Sequence, residues 1–382
     1  MDLILNMNTM INENHPLLQQ IIGEIKAQGP ITFARYMELA LYAPGLGYYS
    51  AGAKKFGAGG DFVTAPEISP LFSRCIAHQC QQILNELNGG DILEIGAGSG
   101  VMATDILIEL EKLNALPQHY FILELSADLK QRQQELSQQK IPHLFNKIIW
   151  LDSLNDMRLQ GVILANEVLD AMPIHKFKID QCIKEFYVDY KNDKLCWHLD
   201  KPSSTELTKA IEQLDSELAE GYESEINLLI KPWIKSLSNV LKSGLILLLD
   251  YGFPQHEYYH PDRNQGTLMC HYQHQAHSNP LLNVGLQDIT AHVDFTAVAE
   301  AADICDLNVA GYTNQGNFLV NCGLLNLIAD NNDPSTQWQV SQQIKKLLMP
   351  SEMGELVKAI ALTRNFDAPL LGFNMNDKRD RL

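Results

Sequence analysis

The chain has 382 residues, 46% of them apolar and 20% charged, and a formal net charge of −17. That length allows one large or two modest domains around a real core, and the composition is that of a folded globular chain. A surface this acidic repels phosphate backbones, which disfavours a nucleic-acid substrate and suits a cationic partner.

The opening stretch MDLILNMNTMINENHP lacks the basic and sustained apolar regions of an export signal. The longest apolar run, near GLILLL, is too short to span a bilayer. The seven cysteines are scattered with no C-x-x-C pair, which suits a reducing compartment. We therefore expect a cytoplasmic protein without a membrane span.

Leu17, Leu18, Ile21, Ile22 and Ile25 recur at helical spacing, so a first helix is expected over 17–28, ended by Gly29-Pro30. A threonine ahead of FARYMELALY predicts a second helix. The next segment, APGLGYYSAGAKKFGAGGDFVTAPEISP, reads as a long functional loop, and Ser69-Pro70 as the cap and first position of a helix. From residue 91 the rhythm becomes strand, helix, strand, with strands expected at 91–95, 119–124, 146–150 and 161–165; this predicts a parallel sheet covered on both faces. HKFKI, CIKEFYVDY and KLCWHL then read as short antiparallel strands, STELTKAIEQLDSELAEG as a helix, and EINLLIKPWIKSLSNVLKSG as a helix kinked at its proline. The apolar LILLLDYGF, residues 245–253, is expected to be a central strand. An irregular stretch over 254–292 follows, then a helix near 294–302, a strand near 306–311 and helices to about 360.

The stretch DILEIGAGSG, residues 91–100, places Gly96, Gly98 and Gly100 between an expected strand and an expected helix. Glycines there allow positive φ and close approach of a ligand to the backbone. The spacing is G-x-G-x-G, unlike the dinucleotide motif that seats a pyrophosphate on a helix N-terminus. With Glu94 two residues before Gly96, it resembles motif I of class I S-adenosylmethionine methyltransferases. Glu124, at the end of the second strand, is placed to accept both hydroxyls of a ribose. Asp152, after the third, is a candidate acceptor for an adenine amine.

Longer strings extend the likeness: YAPGLGYYS, FGAGGDFVTAPEISPLF, GVILANEVLDAMPIHKF, LLLDYGF, GTLMCHYQH and GLQDITAHVDFTAV. These resemble the MidA family of class I methyltransferases, which includes a mitochondrial assembly factor of respiratory complex I. The resemblance implies an α/β Rossmann-like sheet binding S-adenosyl-L-methionine. It also implies methylation of protein arginine to the symmetric dimethyl form, with a respiratory-chain subunit as one possible partner. The expected organisation is a helical extension with a lid loop (1–90), a donor-binding core (91–173 and 226–382, with the irregular 254–292 segment) and an inserted α+β substrate subdomain (174–225). A homodimer is compatible with this.

NEVLDAMP puts Asn166, Glu167 and Asp170 just past the fourth strand, where open α/β sheets bind ligands. If a helical turn begins at 167, Glu167 and Asp170 share a face and fork a guanidinium; the alternative is a helix cap with first-turn acids. In the lid loop, Gly59, Gly60, Asp61, Thr64 and Glu67 match the family's segment and are expected over the donor. Glu67 either meets the donor's ammonium or caps the helix at Ser69. Asp250 and Tyr251 end the fifth core strand on the same edge, in a substrate-side or a structural role. The resemblance puts Asp288, His292 and Asp294 on the substrate side too, to recognise a basic peptide or to sit in a solvated loop. His271, His274 and His277 are spaced for a metal, but no cysteine or carboxylate cluster completes a site, so none is expected. The rival functions are a methyltransferase of small molecules and a donor-binding assembly chaperone with little turnover.

Overall fold

The computed structural model describes residues 15–51, 64–214, 218–329 and 337–382. The seven long strands of the central sheet are β1 Asp91–Ile95, β2 Tyr120–Leu123, β3 Ile148–Leu151, β4 Leu159–Asn166, β5 Leu241–Phe253, β6 Asn308–Asn314 and β7 Val357–Arg364. Their order across the sheet is β3-β2-β1-β4-β5-β7-β6. The first five run parallel, and β7 lies antiparallel between β5 and β6. This is the class I methyltransferase arrangement. The chain works outward from β1 to β3, then returns to lay β4 beside β1, so a crevice opens between the carboxyl ends of β1 and β4.

Both faces of the sheet are dry. On one face Ile92, Leu164 and Leu247 pack beneath the helices Pro70–Glu86 and Val101–Lys112. On the other, Leu93, Ile163 and Ile246 pack beneath Ile230–Val240 and Phe295–Ile304. Strict alternation along each strand sends successive side chains to opposite layers, which is why these strands read as unbroken apolar runs. Each fully buried aliphatic side chain contributes roughly 1.5–3 kcal/mol.

The expected strands of the core are present to within a few residues, and the expected cap at Ser69 accepts a hydrogen bond from the Leu71 N–H. Three expectations fail. Residues 357–364 form β7, not the end of a helical run; VKAIALTR is buried on both faces, so it shows no alternation to reveal a strand. Glu223–Ile226 is a strand, and the helix begins only at Ile230. Pro232 therefore falls in the first turn, where its missing N–H costs nothing, and the expected kink does not form. The helix after KLCWHL spans only Thr205–Glu212, capped by Ser204, whose hydroxyl accepts from the Leu207 N–H.

A second sheet stands beside the first. Its strands are Ile31–Thr32, Cys182–Lys191, His175–Asp180, Glu223–Ile226 and Lys194–Asp200. The inserted segment thus shares a sheet with the N-terminal extension. The 254–292 segment contains a hairpin, Met269–Tyr272 with Gln275–His277, against Asp288–Thr290. It packs on the N-terminal helices: Cys270, Leu281 and Ile289 join Leu17, Ile21, Phe33 and Tyr36 in one apolar cluster. Tyr36 is fully buried there and its hydroxyl donates to the Pro280 carbonyl at 2.7 Å. Among the described residues no helix is long and apolar enough to cross a membrane. Tyr36→Phe removes one of two donors to that carbonyl, the Gln287 amide remaining at 3.0 Å, so it should cost about 0.5–1.5 kcal/mol of unfolding free energy in urea titrations; an unchanged midpoint would show that the bond does not hold the two segments together.

Candidate active site

A cavity of about 870 Å³ opens at the carboxyl ends of β1, β2 and β4. Its floor is the turn after β1. Gly96, Gly98 and Gly100 all have positive φ, at 68°, 54° and 82°. Gly96, Gly98 and Ser99 line the cavity, while Gly100 caps the helix Val101–Lys112 and packs against Gln133. A Cβ on Gly96 would lie 3.1 Å from the Val168 side chain, so the turn is fitted against the chain leaving β4.

Glu94 is buried and lines the cavity beneath this turn. Burial pushes its carboxyl up to about 7, against the opposing hydrogen bond that the Tyr120 hydroxyl donates at 2.7 Å. Glu124 also lines the cavity, one oxygen accepting from the Ser126 N–H at 2.9 Å and the other from Gln133 at 3.0 Å. Next to it Leu125 stands 79% exposed on the cavity wall, an apolar surface left open beside an acid.

Gln133 went unnoticed in the sequence. Its amide nitrogen donates to the Gly98 carbonyl and to Glu124, and its oxygen accepts from the Trp150 indole at 3.0 Å. One side chain thus ties the glycine turn to the ends of β2 and β3. Asp152 takes no part in this. Its side chain is 94% exposed and paired with Lys130 at 3.0 Å, and Leu154 occupies the cavity wall instead.

Asn166 and Glu167 line the cavity at the end of β4. No helical turn begins at 167: Glu167 has φ +54°, in the left-handed region, so it does not share a helical face with Asp170. The Asn166 amide donates to Glu167 at 3.1 Å, and the Ala65 N–H reaches the same oxygen at 3.4 Å. The Asn166 carbonyl oxygen is buried without a partner among the described residues. Glu167 is half-buried and pushed up to about 8, chiefly by desolvation and then by the charge of Asp250. Asp170 is buried behind the wall and raised well above the carboxylate range, again by desolvation first and then by Asp250, Glu167 and Asp288.

Asp250 does not reach the cavity. It is fully buried at the end of β5, and one oxygen accepts from the N–H groups of Val168, Leu169 and Asp170 at 3.0, 2.8 and 3.4 Å. The other oxygen accepts from the Tyr251 N–H at 2.8 Å. Asp288 lies behind Tyr49, whose hydroxyl donates to it at 2.9 Å. Asp294 caps the helix Phe295–Ile304 through the N–H groups of Thr296 and Ala297. His292 stacks on Tyr251, 6.2 Å between centroids, and burial lowers it to about 4, with Arg263 and Lys358 adding to the effect. None of Tyr251, Asp288, His292 or Asp294 lines the cavity. Among the described residues no three His, Cys, Asp or Glu side chains group to hold a metal.

The extension supplies the facing wall. Tyr42 and Tyr49 stack with centroids 5.5 Å apart, and the Tyr42 hydroxyl donates to the Ala171 carbonyl at 2.9 Å. Thr64 and Glu67 line the cavity, and Glu67 accepts a short hydrogen bond from Ser99 rather than capping the helix at Ser69. Gly60 and Asp61 lie outside the described residues. Across the lining, five carboxyl groups (Glu38, Glu67, Glu94, Glu124 and Glu167) face one guanidinium, Arg35, which is already paired with Glu24 and Glu38.

A sheet in this order, with a glycine turn after its first strand and acids ending its first, second and fourth, defines a class I S-adenosylmethionine-dependent methyltransferase. The comparisons give the particular family. Residues 75–313 match the family described as "Putative S-adenosyl-L-methionine-dependent methyltransferase", and the chain belongs to it. A Burkholderia thailandensis protein crystallised with S-adenosyl-homocysteine superposes with a TM-score of 0.93 at 38% identity, covering 97% of this chain and 98% of that one. The mitochondrial protein arginine methyltransferase NDUFAF7 of Danio rerio is 29% identical over 90% of this chain and 85% of its own. The Homo sapiens protein of that name is 28% identical over 91% and 83%.

Two outcomes follow from this geometry. Asp250→Ala strands four backbone N–H groups in the interior and should cost about 3 kcal/mol or more in denaturant unfolding; a loss under 1 kcal/mol would mean the turn stands without it. The folded pKa of Glu167 lies above its ordinary value of 4.5, so the stability its proton brings is full below that pH and is lost as pH rises towards 8. Glu167→Gln keeps a neutral side chain, so its melting temperature should pull ahead of wild type by about 2–4 °C between pH 5 and pH 8.5. A constant difference across that range would show that Glu167 is ionised throughout.

Proposed function

We propose that this methyltransferase transfers its methyl group to the guanidinium of an arginine in a protein. The observation that carries the reading is the carboxyl-rich wall: five carboxyl groups, Glu167 among them, line a cavity whose one guanidinium, Arg35, is already paired, and the buried Asp170 lies behind them. Buried acceptors without donors are unfavourable alone and favourable around a ligand that brings N–H groups and positive charge. The names of the NDUFAF7 relatives support the same acceptor.

The two halves of the cavity divide the work in this proposal. Glu94, Gly96, Gly98 and Glu124, with Leu125, hold the donor, their turn braced by Gln133. Bound S-adenosylmethionine supplies a methyl group on a positively charged sulfur. Asn166 and Glu167 grip two nitrogens of the guanidinium so that the third lies in line with that methyl, with Tyr42 and Tyr49 excluding water from the other side. A guanidinium is always protonated near neutral pH and so is a poor nucleophile. Its arrival draws Glu167 into the charged form, the released proton going to water; the carboxylate then holds positive charge on the nitrogens it binds and leaves electron density on the reacting one.

The test is transfer of labelled methyl from S-adenosylmethionine to lysate proteins of a strain lacking this chain, followed by hydrolysis to amino acids. Label in symmetric dimethylarginine on a discrete protein is expected, and a respiratory-chain subunit is the candidate that the sequence resemblance raises. Label confined to small molecules would overturn the reading. In calorimetry Glu124→Ala should weaken donor binding by about 1–3 kcal/mol through lost charged hydrogen bonds; unchanged affinity would remove Glu124 from the donor site.

A further inference from the structure

His175 opens the first strand of the inserted segment and lines the cavity. Its Nδ1 lies 2.7 Å from Glu185 on the neighbouring strand, and Glu185 is completely buried. The second oxygen of Glu185 accepts the Ser203 N–H, and a carboxylate in its ionised form has only acceptor capacity to offer the imidazole. A carboxylate that accepts at both oxygens fixes the imidazole with its proton on Nδ1, which leaves Nε2 as a bare acceptor. A histidine oriented by a buried carboxylate at the wall of a reaction cavity is built to take up a proton.

We propose that His175 is the proton acceptor of methyl transfer, with Glu185 as its positioning residue. The assignment rests on the reading of the acceptor as an N–H group in this cavity. As the new N–C bond forms, the C–S bond breaks and its electron pair stays on sulfur. The acceptor nitrogen then carries one proton too many, and that proton passes to His175 Nε2. Two cations enter, the sulfonium and the guanidinium; two leave, the methylated guanidinium and the imidazolium beside Glu185. Glu167, which holds the substrate, is then not required to serve as the base.

Three readouts on the full chain test this. In histidine-labelled protein, ¹⁵N shifts assigned through His175→Gln should show Nδ1 protonated and Nε2 bare in the neutral ring. His175→Gln should lower kcat for methyl transfer about 100-fold or more, the range of general-base loss, with S-adenosylmethionine affinity within twofold. Glu185→Gln should lower kcat about tenfold, and imidazole should restore part of the rate to His175→Gly. Loss of label from dimethylarginine in His175→Gln supports both readings. The same loss from another methylated amino acid keeps the base and refutes arginine. Dimethylarginine label within twofold of wild type in His175→Gln overturns the base alone. If even wild type labels nothing, the tautomer decides: bare Nε2 supports the assignment and an Nε2–H overturns it.

Discussion

The site depends on one buried carboxylate that does not line it. Asp250 gathers the N–H groups of three successive residues after β4 and one within β5. Those N–H groups form a concave nest of positive partial charge, and a carboxylate is the natural occupant. The bonds stop β4 from running on and hold the backbone through the left-handed conformation at Glu167, which is costly for a non-glycine residue. That conformation turns Glu167 and Asn166 to the cavity and brings Val168 against Gly96, so the ends of β1 and β4 are set in register with one another.

The same carboxylate explains the electrostatics. Burial is the first cause of the raised carboxyls at Glu167, Asp170 and Asp250, and the charge of Asp250 is the second for the first two. Asp250 receives four N–H groups that favour its charged form, whereas Glu167 receives only an amide and one long backbone bond. Of the two, Asp250 is better placed to hold a negative charge, which leaves Glu167 as the group that must keep its proton. Like charges this close in a dry interior do not ionise together. In the proposed reading, that stored carboxyl ionises only when the cationic substrate arrives.

The sheet was legible in the sequence because parallel strands buried on both faces leave unbroken apolar runs, and the glycine turn because three glycines two apart suit a turn of positive φ. β7 was not legible: VKAIALTR has the composition of a helix, and only its place between β5 and β6 makes it a strand. The strand-end acids Glu94, Glu124 and Glu167 stand on the cavity wall because the end of a strand is a place in space as well as in sequence. Asp152, Asp288 and Asp294 share the charge type of those acids but not their surroundings: one is salt-bridged at the surface, one hidden behind Tyr49, one a helix cap. Sequence names an acid, and it cannot say which donors the fold will bring to it. Gln133 was invisible for the same reason, since a glutamine in a polar helix gives no sign of its three distant partners.

A Rossmann-like sheet with a glycine turn is sufficient to hold a methyl donor. It says nothing about what the methyl is given to. Part of the acceptor side comes from added chain: Tyr42 and Tyr49 from the extension, and the His175–Glu185 pair from the insertion. These two additions are not independent ornaments, because Ile31–Thr32 pairs in register with Tyr187 and Val188 of the strand that carries Glu185. The pairing joins the extension and the insertion into one sheet beside the donor crevice. Loosening either strand would disturb the other, so a change in the extension reaches the strand that carries Glu185.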